Sequence, residues 1–243
     1  MYMKPAEKSV CDLTIMILAK DEAENLKVII PQTKKMIEEL SLSYEIIVVD
    51  GKSRDDTSNV AASLGARVVV QEKPGYGEAF RLAFREARGE YVLNLDADCS
   101  HNPKFIKTLW DNRASDRLVI ASRYMPNGGS KTSIFRHILS IILNLVYAKI
   151  FLLPYKDLSS GYRLYHAPMV RDLIDDVEAQ NFDILLEILI KLHKSGASII
   201  EVPFRYEPRK HGHSNARLLK FAVSYAKTLI RTSQWKCEKK RGA

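Results

Sequence analysis

The sequence predicts an α/β fold in which a mostly parallel central sheet carries helices on both faces. Short apolar segments alternate with longer amphipathic segments through the first half of the chain, which is the pattern of successive βα units. Four such units follow one another before the pattern changes. Apolar residues make up 46% of the chain and charged residues 27%, as in compact globular proteins and unlike disordered ones.

The first half contains short apolar runs bounded by polar turns, and these predict strands at residues 13–19, 44–50, 66–71, 90–96 and 117–122. The amphipathic segments after the first four strands predict helices at 22–40, 55–64, 77–87 and 103–112. A polar turn with a helix-capping signal, residues 50–57, ends the second strand.

After Ser122 the pattern changes to a turn-rich loop, residues 125–130, followed by an apolar segment at 134–153. The remaining elements are a strand at 160–166, helices near 168–175 and at 183–195, a strand at 198–206 and a helix at 215–234. These form a C-terminal extension of helices and strands. No repeat or low-complexity linker divides the chain, so we expect a single domain over residues 1–243 with two halves, 10–125 and 126–235.

Charge and cysteine content restrict the class of partner. The chain has 37 Lys and Arg against 29 Asp and Glu, a net charge of +8, which favours anionic partners such as nucleotides, phosphates or an acidic membrane surface. No basic run interleaved with aromatic residues indicates nucleic-acid binding. The three cysteines lie far apart and match no metal or disulfide pattern, and no signal peptide is evident, so we expect a cytoplasmic protein.

The apolar segment at 134–153 is interrupted by Arg136, His137, Asn144 and Lys149, so it lacks the uninterrupted apolar run of a transmembrane helix. It predicts either an amphipathic helix lying on a membrane or a helix of the protein core.

Asp96 and Asp98 stand at the end of the fourth predicted strand. Side chains at i and i+2 of a strand share a face, so the two carboxylates are expected together at the carboxyl edge of the sheet, where open α/β sheets bind ligands. Such a pair suits Mg²⁺ or Mn²⁺, whose remaining coordination positions commonly take phosphate oxygens. The alternative is a helix cap or a solvated loop.

Asp50 and Glu22 end or follow neighbouring strands near the same edge. An acid at the second strand end commonly contacts a ribose or a base, whereas the alternatives are a helix-capping aspartate and a first-turn acid. Gly75 and Gly77 precede a helix and suit either an approach to a diphosphate or an ordinary loop. The GxGxxG spacing of nicotinamide-cofactor proteins and the GxxxxGKS/T motif of P-loop enzymes are both missing.

Several arginines are predicted at turns and could line a phosphate-binding cleft: Arg123, Arg136, Arg163 and Arg209. Arg136 and Ser140 are four residues apart, so they share a helical face and could clasp one phosphate. The alternative for Arg136 is a side chain that extends to solvent from a core helix.

In their order and spacing these motifs resemble the inverting GT-A glycosyltransferases of family 2, and within them the dolichol-phosphate mannose synthases and related polyprenyl-phosphate sugar transferases. The resemblance extends from about Leu13 to Arg231. The segments that carry it are 21–25, 46–50, 96–98, 121–124 with 128–129, 157–163, Glu187, and 201–203 leading to 209–214. The sequence departs from the family pattern in three places. Residues 18–20 are Leu-Ala-Lys where the family usually has Pro, a small residue and Tyr, Gly51 replaces a second Asp, and Ser100 stands where mannose synthases often have Gln.

The resemblance implies a GT-A fold whose first half, 10–125, binds a nucleotide sugar and whose second half, 126–235, binds the acceptor. The implied donor-binding residues are Leu18, Lys20, Glu22, Asp50, Asp96, Ala97, Asp98 and Arg209. The implied metal ligands for Mg²⁺ or Mn²⁺ are Asp96, Asp98 and Ser100. The implied acceptor-phosphate residues are Arg123, Arg136 and Ser140, and the catalytic set is Asp96, Asp98 and Arg123.

The expected function is metal-dependent transfer of mannose from GDP-mannose to dolichyl or polyprenyl phosphate, with no nucleic-acid partner. The protein would lie on the cytoplasmic face of a membrane, with a membrane protein as a possible partner. Two enzymatic alternatives remain: transfer from UDP-glucose to polyprenyl phosphate, and transfer to a glycan hydroxyl, which needs a general base. The non-enzymatic alternative is a catalytically inactive nucleotide-sugar-binding subunit.

Overall fold

The structure is a computed structural model that describes residues 10–130, 134–207 and 218–235, with side chains left undescribed at 134–136 and 218–222. In this described part, seven strands form the central sheet. They are β1 (Cys11–Ala19), β2 (Tyr44–Asp50), β3 (Arg67–Val70), β4 (Gly89–Asn94), β5 (Arg117–Ser122), β7 (Arg163–His166) and β8 (Ser198–Pro203). A separate pair consists of β6 (Gly129–Ser130) and β9 (Arg205–Tyr206).

The strand order is β3-β2-β1-β4-β7-β5-β8. Strand β7 runs antiparallel to both β4 and β5, and the other neighbours pair in parallel. The predicted mostly parallel sheet is therefore confirmed. Because β7 runs the opposite way, its first residue, and not its last, lies at the carboxyl edge of the parallel strands.

Eight helices fall within the described residues: α1 (Ala23–Glu39), α2 (Thr57–Ser63), α3 (Tyr76–Glu86), α4 (Ile106–Asp111), α5 (Ile134–Phe151), α6 (Ala167–Arg171), α7 (Ile184–Lys194) and α8 (Leu218–Gln234). Helices α1, α2 and α4 pack in one apolar cluster, and α3, α6 and α7 in another. Alternate residues of β1 divide between them: Ile15 and Ile17 belong to the first cluster and Met16 to the second. Strand periodicity therefore places a core on each face of the sheet, as predicted.

Element boundaries differ from the sequence prediction in three places that bear on function. Strand β4 ends at Asn94, so Asp96 lies beyond it. The predicted strand at 198–206 divides after Pro203, where the main-chain N–H of Phe204 bonds to Ser122 and directs the following residues into β9. The predicted strand at 160–166 begins only at Arg163, which leaves residues 157–162 as a loop.

Helix α5 combines an inward face with a wide exposed apolar face. Asn144 and Tyr147 are buried, 4% and 2% exposed, and the Tyr147 hydroxyl donates to the main-chain oxygen of Tyr225 on α8. The exposed side chains on α5 include Ile138, Leu139, Ile142, Leu145, Val146 and Ile150, each 43–64% exposed. None of the described helices has the length and hydropathy needed to cross a bilayer.

Candidate active site

A cavity of about 140 Å³ opens at the carboxyl edge of the sheet. It lies where β4 and β5 end and β7 begins, so three chain segments distant in sequence meet there. Its lining residues are Tyr76, Asp96, His101, Arg123, Ser159, Ser160, Gly161, Phe182, Leu185 and Tyr206. The predicted sites at Asp96 and Arg123 therefore share one cavity.

Asp96 and Asp98 lie on the turn after β4, and not on the strand itself. Oδ1 of Asp98 accepts the main-chain N–H of Ser100 at 3.0 Å, and Cys99 has a left-handed φ of 63°, so the turn is bent tightly around Asp98. The Asp98 side chain is buried, whereas that of Asp96 is 32% exposed and lines the cavity. Burial and then the charges of Asp98 and Asp96 raise the pKa of Tyr206, so both carboxylates act on the same cavity wall.

The donor set fits a divalent metal ion. Carboxylate oxygens are the hard ligands that Mg²⁺ and Mn²⁺ prefer. No group of three His, Cys, Asp or Glu side chains converges in the described residues, so Asp96 and Asp98 would leave positions on the ion for phosphate oxygens and water. The third predicted ligand, Ser100, is fully buried, and its carbonyl oxygen accepts the main-chain N–H of Glu207 at 3.3 Å.

His101 is a cavity residue that the motifs did not single out. Its Nδ1 accepts the main-chain N–H of Asp96 at 3.1 Å, and its Nε2 lies 3.4 Å from Oδ2 of Asp96. The ring stacks on Tyr162, with centroids 4.5 Å apart and planes inclined by 6°. Burial lowers the pKa of His101 in spite of the nearby carboxylates. Its position directly after the Asp-x-Asp turn is the one signal in the sequence.

Arg123, another lining residue of the cavity, forms a nearly buried ion pair with Asp157. Its Nε and Nη2 each donate to the Asp157 carboxylate at 2.8 Å, and its main-chain N–H donates at 2.9 Å. Burial disfavours both charges, yet this pairing raises the pKa of Arg123 and lowers that of Asp157 relative to their ordinary values. Arg123 therefore stays charged at the cavity.

Ser159 connects Arg123 to helix α5. Its hydroxyl accepts from Nη2 of Arg123 at 2.8 Å and lies 3.1 Å from the hydroxyl of Ser140. The structure therefore brings two of the predicted acceptor-phosphate residues, Arg123 and Ser140, to the same place. The side chain of Arg136, one turn earlier, lies outside the described residues, as does all of Arg209.

Glu201 on β8 positions this loop. Its two carboxylate oxygens accept the main-chain N–H groups of Lys156 and Asp157, each at 2.8 Å. Glu201, which belongs to the 201–203 segment of the family resemblance, therefore holds the main chain of this loop in place. It affects Arg123 indirectly, through Asp157.

The predicted nucleoside-binding loops after β1 and β2 are tied to each other. Asp50 accepts from the main chain and hydroxyl of Ser53 and from the Ser58 hydroxyl, so both of its oxygens are engaged. The Ser53 hydroxyl in turn accepts the main-chain N–H of Asp21 at 2.9 Å, and Glu22 accepts from Asn25. Asp50 is therefore buried and holds the turn that follows β2, whereas the N-cap of α2 is Asp56.

The other predicted donor residues differ in exposure. Lys20 is exposed, Leu18 is partly buried against the core cluster of the α3 side, and Ala97 is buried in the cluster of the opposite side.

Two of the residues considered as phosphate contacts lie against the protein's own main chain. Arg163 is fully buried, and its guanidinium donates to the main-chain oxygens of Leu158, Ser160 and Leu185, so it supports the loop instead of facing a phosphate. A Cβ on Gly77 would lie 2.1 Å from the oxygen of Ala179. Gly77 belongs to the first turn of α3, and the main chain of Ala179 occupies the space beside it.

Solved structures support the GT-A fold. Glucosyl-3-phosphoglycerate synthase from Mycobacterium tuberculosis, in complex with phosphoglyceric acid, superposes with a TM-score of 0.71 at 20% identity over 93% of this chain and 81% of that one. The same enzyme in complex with Mn²⁺, uridine diphosphate and glucosyl-3-phosphoglycerate gives a TM-score of 0.69 at 20% identity, covering 96% of this chain and 86% of that one.

Curated relatives are more similar in sequence. The dolichol-phosphate mannosyltransferase of Pyrococcus furiosus is 29% identical over 235 residues, 93% of this chain, and the chain spans 65% of that relative's length. The dolichol-phosphate mannosyltransferase of Saccharomyces cerevisiae is 26% identical over 84% of this chain and 80% of its own length.

The sequence model of glycosyl transferase family 2 matches residues 14–174. This range begins within β1 and extends past α6, and it contains the Asp96–Asp98 turn, the Arg123–Asp157 pair and the loop that joins the pair to α5. The family resemblance inferred from the motifs is thereby confirmed, and the chain belongs to glycosyl transferase family 2.

Proposed function

We propose that the protein transfers mannose from GDP-mannose to a dolichyl or polyprenyl phosphate. The observation that carries the proposal is the shared cavity: a carboxylate suited to a metal–diphosphate and a charged arginine linked to α5 both line it. The two mannosyltransferase relatives support the choice of substrates. In this proposal residues 10–125 bind the donor and residues 126–235 bind the acceptor.

On the donor side, Asp96 and Asp98 would hold Mg²⁺ or Mn²⁺, which supplies neutralisation of the charge that grows on the departing diphosphate. The buried turn around Asp98 holds the carboxylates in place before substrate arrives, so little reorganisation accompanies reaction. Departure of the nucleotide leaves oxocarbenium character at the anomeric carbon, as in glycoside hydrolysis.

On the acceptor side, a phosphate monoester has a second pKa near 6, so it is already an anionic nucleophile at neutral pH. No side-chain base is required. Arg123 and Ser140 would orient the phosphate, and Arg123 keeps its charge there because Asp157 stabilises it. Attack on the anomeric carbon from the side opposite the diphosphate gives inversion.

The exposed face of α5 supports a lipid acceptor over a soluble one. Ser140 belongs to the same helix as Ile142 and Leu145, which are 52% and 64% exposed. Ile142 and Leu145 lie about 140–160° around the helix from Ser140, so the hydrocarbon chain of a phosphate held beside Ser140 would pass around α5 to reach this apolar surface. We propose that this face rests on the cytoplasmic surface of a membrane, alone or beside a membrane protein.

Transfer can be tested with labelled nucleotide sugars, polyprenyl phosphate and Mn²⁺, followed by extraction of the lipid phase. Label is expected in the organic phase from GDP-mannose, and its appearance should require both the lipid phosphate and the metal. Label that enters the organic phase only from UDP-glucose would show that the donor is UDP-glucose and not GDP-mannose. Transfer to a glycan hydroxyl would show that the acceptor is a glycan and not a lipid phosphate. Binding of a nucleotide sugar without transfer to any acceptor would indicate a catalytically inactive subunit.

Membrane binding is tested by replacing Ile142 and Leu145 together with Glu. The wild-type protein should float with vesicles of phosphatidylcholine and phosphatidylglycerol, and less so at high salt. The double variant should bind the vesicles at least about tenfold more weakly, because burying one aliphatic side chain completely contributes about 1.5–3 kcal/mol to the free energy of binding. Val70→Glu is the control because Val70 is 54% exposed on the edge strand β3. Equal flotation of both variants would contradict the assignment of this face.

A further inference from the structure

His101 makes two contacts with one residue, Asp96. Nδ1 accepts the main-chain N–H at 3.1 Å, so Nδ1 carries no proton and, in the neutral ring, the proton resides on Nε2. Nε2 lies 3.4 Å from Oδ2 of the same aspartate. Nε2 is therefore near the carboxylate, and the hydrogen bond that orients the ring on Asp96 is the one at Nδ1.

Aromatic side chains hold the ring in this orientation. Tyr162 stacks on it, and Phe204 and Tyr206 meet it edge-on with centroids 6.1 Å away. The Tyr162 hydroxyl donates to the main-chain oxygen of Asn102 at 3.1 Å, which ties the stacking partner to the residue next to His101. A rotation of the imidazole would break these packing contacts together with the bond to Asp96.

Asp96 is held from the other side as well. A Cβ on Gly161 would lie 3.5 Å from Oδ1 of Asp96, so this oxygen faces the loop that enters β7. The amide of Asn94 donates to the oxygen of Gly161 at 2.7 Å, which fixes the loop against the end of β4. Oδ2 of Asp96 thus lies on the side of His101, and Oδ1 on the side of Gly161.

We propose that His101 is a positioning residue that sets the backbone and carboxylate of Asp96 for the metal–diphosphate, and that it does not itself ligate the metal. The inference rests on the proposed function, since it gives Asp96 a metal to hold. Hydrogen-bonding partners of metal ligands orient them, and losing one commonly costs 10–100-fold in metal affinity or activity. His101, which holds the main chain of Asp96 through Nδ1, has this role.

Two substitutions separate the contacts. In His101→Asn, the amide oxygen can accept the N–H of Asp96 as Nδ1 does, whereas in His101→Gln the amide nitrogen can replace only the Nε2 donor. His101→Ala should weaken Mn²⁺ binding in the presence of GDP by about 10–100-fold. His101→Asn should recover most of that loss, and His101→Gln should recover less, because the main-chain bond is the shorter contact.

The chain contains a matched control in His166. Its Nδ1 also accepts the main-chain N–H of an aspartate, Asp116, at 3.2 Å and lies 3.7 Å from Oδ1 of that residue. His166 pairs with Tyr91 near the start of β4, so it lies at the opposite edge of the sheet from the cavity. His166→Ala should leave Mn²⁺ affinity and kcat unchanged, whatever it does to Tm.

The measurements are Mn²⁺ affinity by calorimetry with GDP and with UDP, pulsed electron paramagnetic resonance of bound Mn²⁺, and ¹⁵N NMR of the ligand-free protein. We expect the Nε2–H tautomer, no directly coordinated ring nitrogen, and recovery by Asn. A coordinated imidazole, the Nδ1–H tautomer, unchanged affinity in His101→Ala, or weakened affinity in His166→Ala would overturn the inference. Failure of the wild-type protein to bind Mn²⁺ with either nucleotide would instead overturn the proposed function, because the tautomer is measured without ligand.

Discussion

Replacing Asp98 by alanine should lower the rate of sugar transfer at least about 100-fold. Metal coordination supplies several kcal/mol of charge stabilisation in such reactions, and each ~1.4 kcal/mol of lost stabilisation lowers the rate tenfold. Asp98 is also the residue around which the metal-binding turn is built, because its carboxylate accepts the N–H of Ser100. Its removal should weaken both the cation site and the geometry of that site.

The rate is measured with saturating Mn²⁺, so that weak binding and lost chemistry are both visible in the kinetics. Asp111→Ala is the matched control, because Asp111 forms an exposed ion pair with Lys107 on α4 and lies outside the cavity lining. It should transfer sugar at the wild-type rate. Near-wild-type turnover by Asp98→Ala would show that the carboxylate has no part in metal binding.

Replacing Asp157 by asparagine should destabilise the fold by about 3–5 kcal/mol, the usual cost of leaving a buried charge unpaired. Asp157 is fully buried, and the partner left behind is Arg123, only 16% exposed. Asp175→Asn is the contrasting variant, because the Arg85–Asp175 pair is largely exposed and such pairs contribute about 0–1 kcal/mol. Urea unfolding of the two variants compares the two effects directly, and similar losses would contradict the role given to Asp157.

The same pair predicts an acid dependence of stability. Although burial raises it, the pKa of Asp157 is held below its ordinary value of 3.8 by Arg123. A carboxyl whose pKa is lower in the folded protein than in the unfolded chain stabilises the fold at pH values above its pKa in the unfolded chain. This stabilisation is lost as the pH falls through the pKa of the carboxyl in the folded protein. Urea unfolding as a function of pH should therefore show a smaller acid loss for Asp157→Asn than for the wild-type protein.

Periodicity and polar turns were enough to predict the parallel sheet, since buried strands and amphipathic helices leave local patterns in the sequence. The direction of β7 left no such pattern. A short run such as Arg163–His166 has the same composition in either direction, and pairing with β4 and β5 decides between them. The sequence predicts the end of β4 two residues late, because Leu95 is apolar like the strand before it. In the structure the main-chain N–H of Leu95 still bonds to Met16 of β1, although β4 has ended at Asn94.

Within the site, residue type was enough to predict that Asp96 and Arg123 lie near each other. It did not predict which groups of the protein form hydrogen bonds with the polar side chains. Asp50 and Arg163 have the chemistry of ligand-binding residues, yet the structure directs them to serine hydroxyls and to main-chain oxygens respectively. Whether a polar group faces a ligand or the protein is decided by contacts between segments far apart in the chain. Asp157 reaches Arg123 across 34 residues, and no local spacing encodes that approach.

The opposed direction of β7 has a consequence for how acceptors can change in evolution. The chain leaves the sheet after β5 and returns before β7 at one and the same edge, so the excursion that includes α5 begins and ends beside the reacting groups. Its length and composition can vary without shifting the register of any strand. Exchange of this excursion between related enzymes would change one part of the cavity lining while leaving the strands of the sheet unchanged.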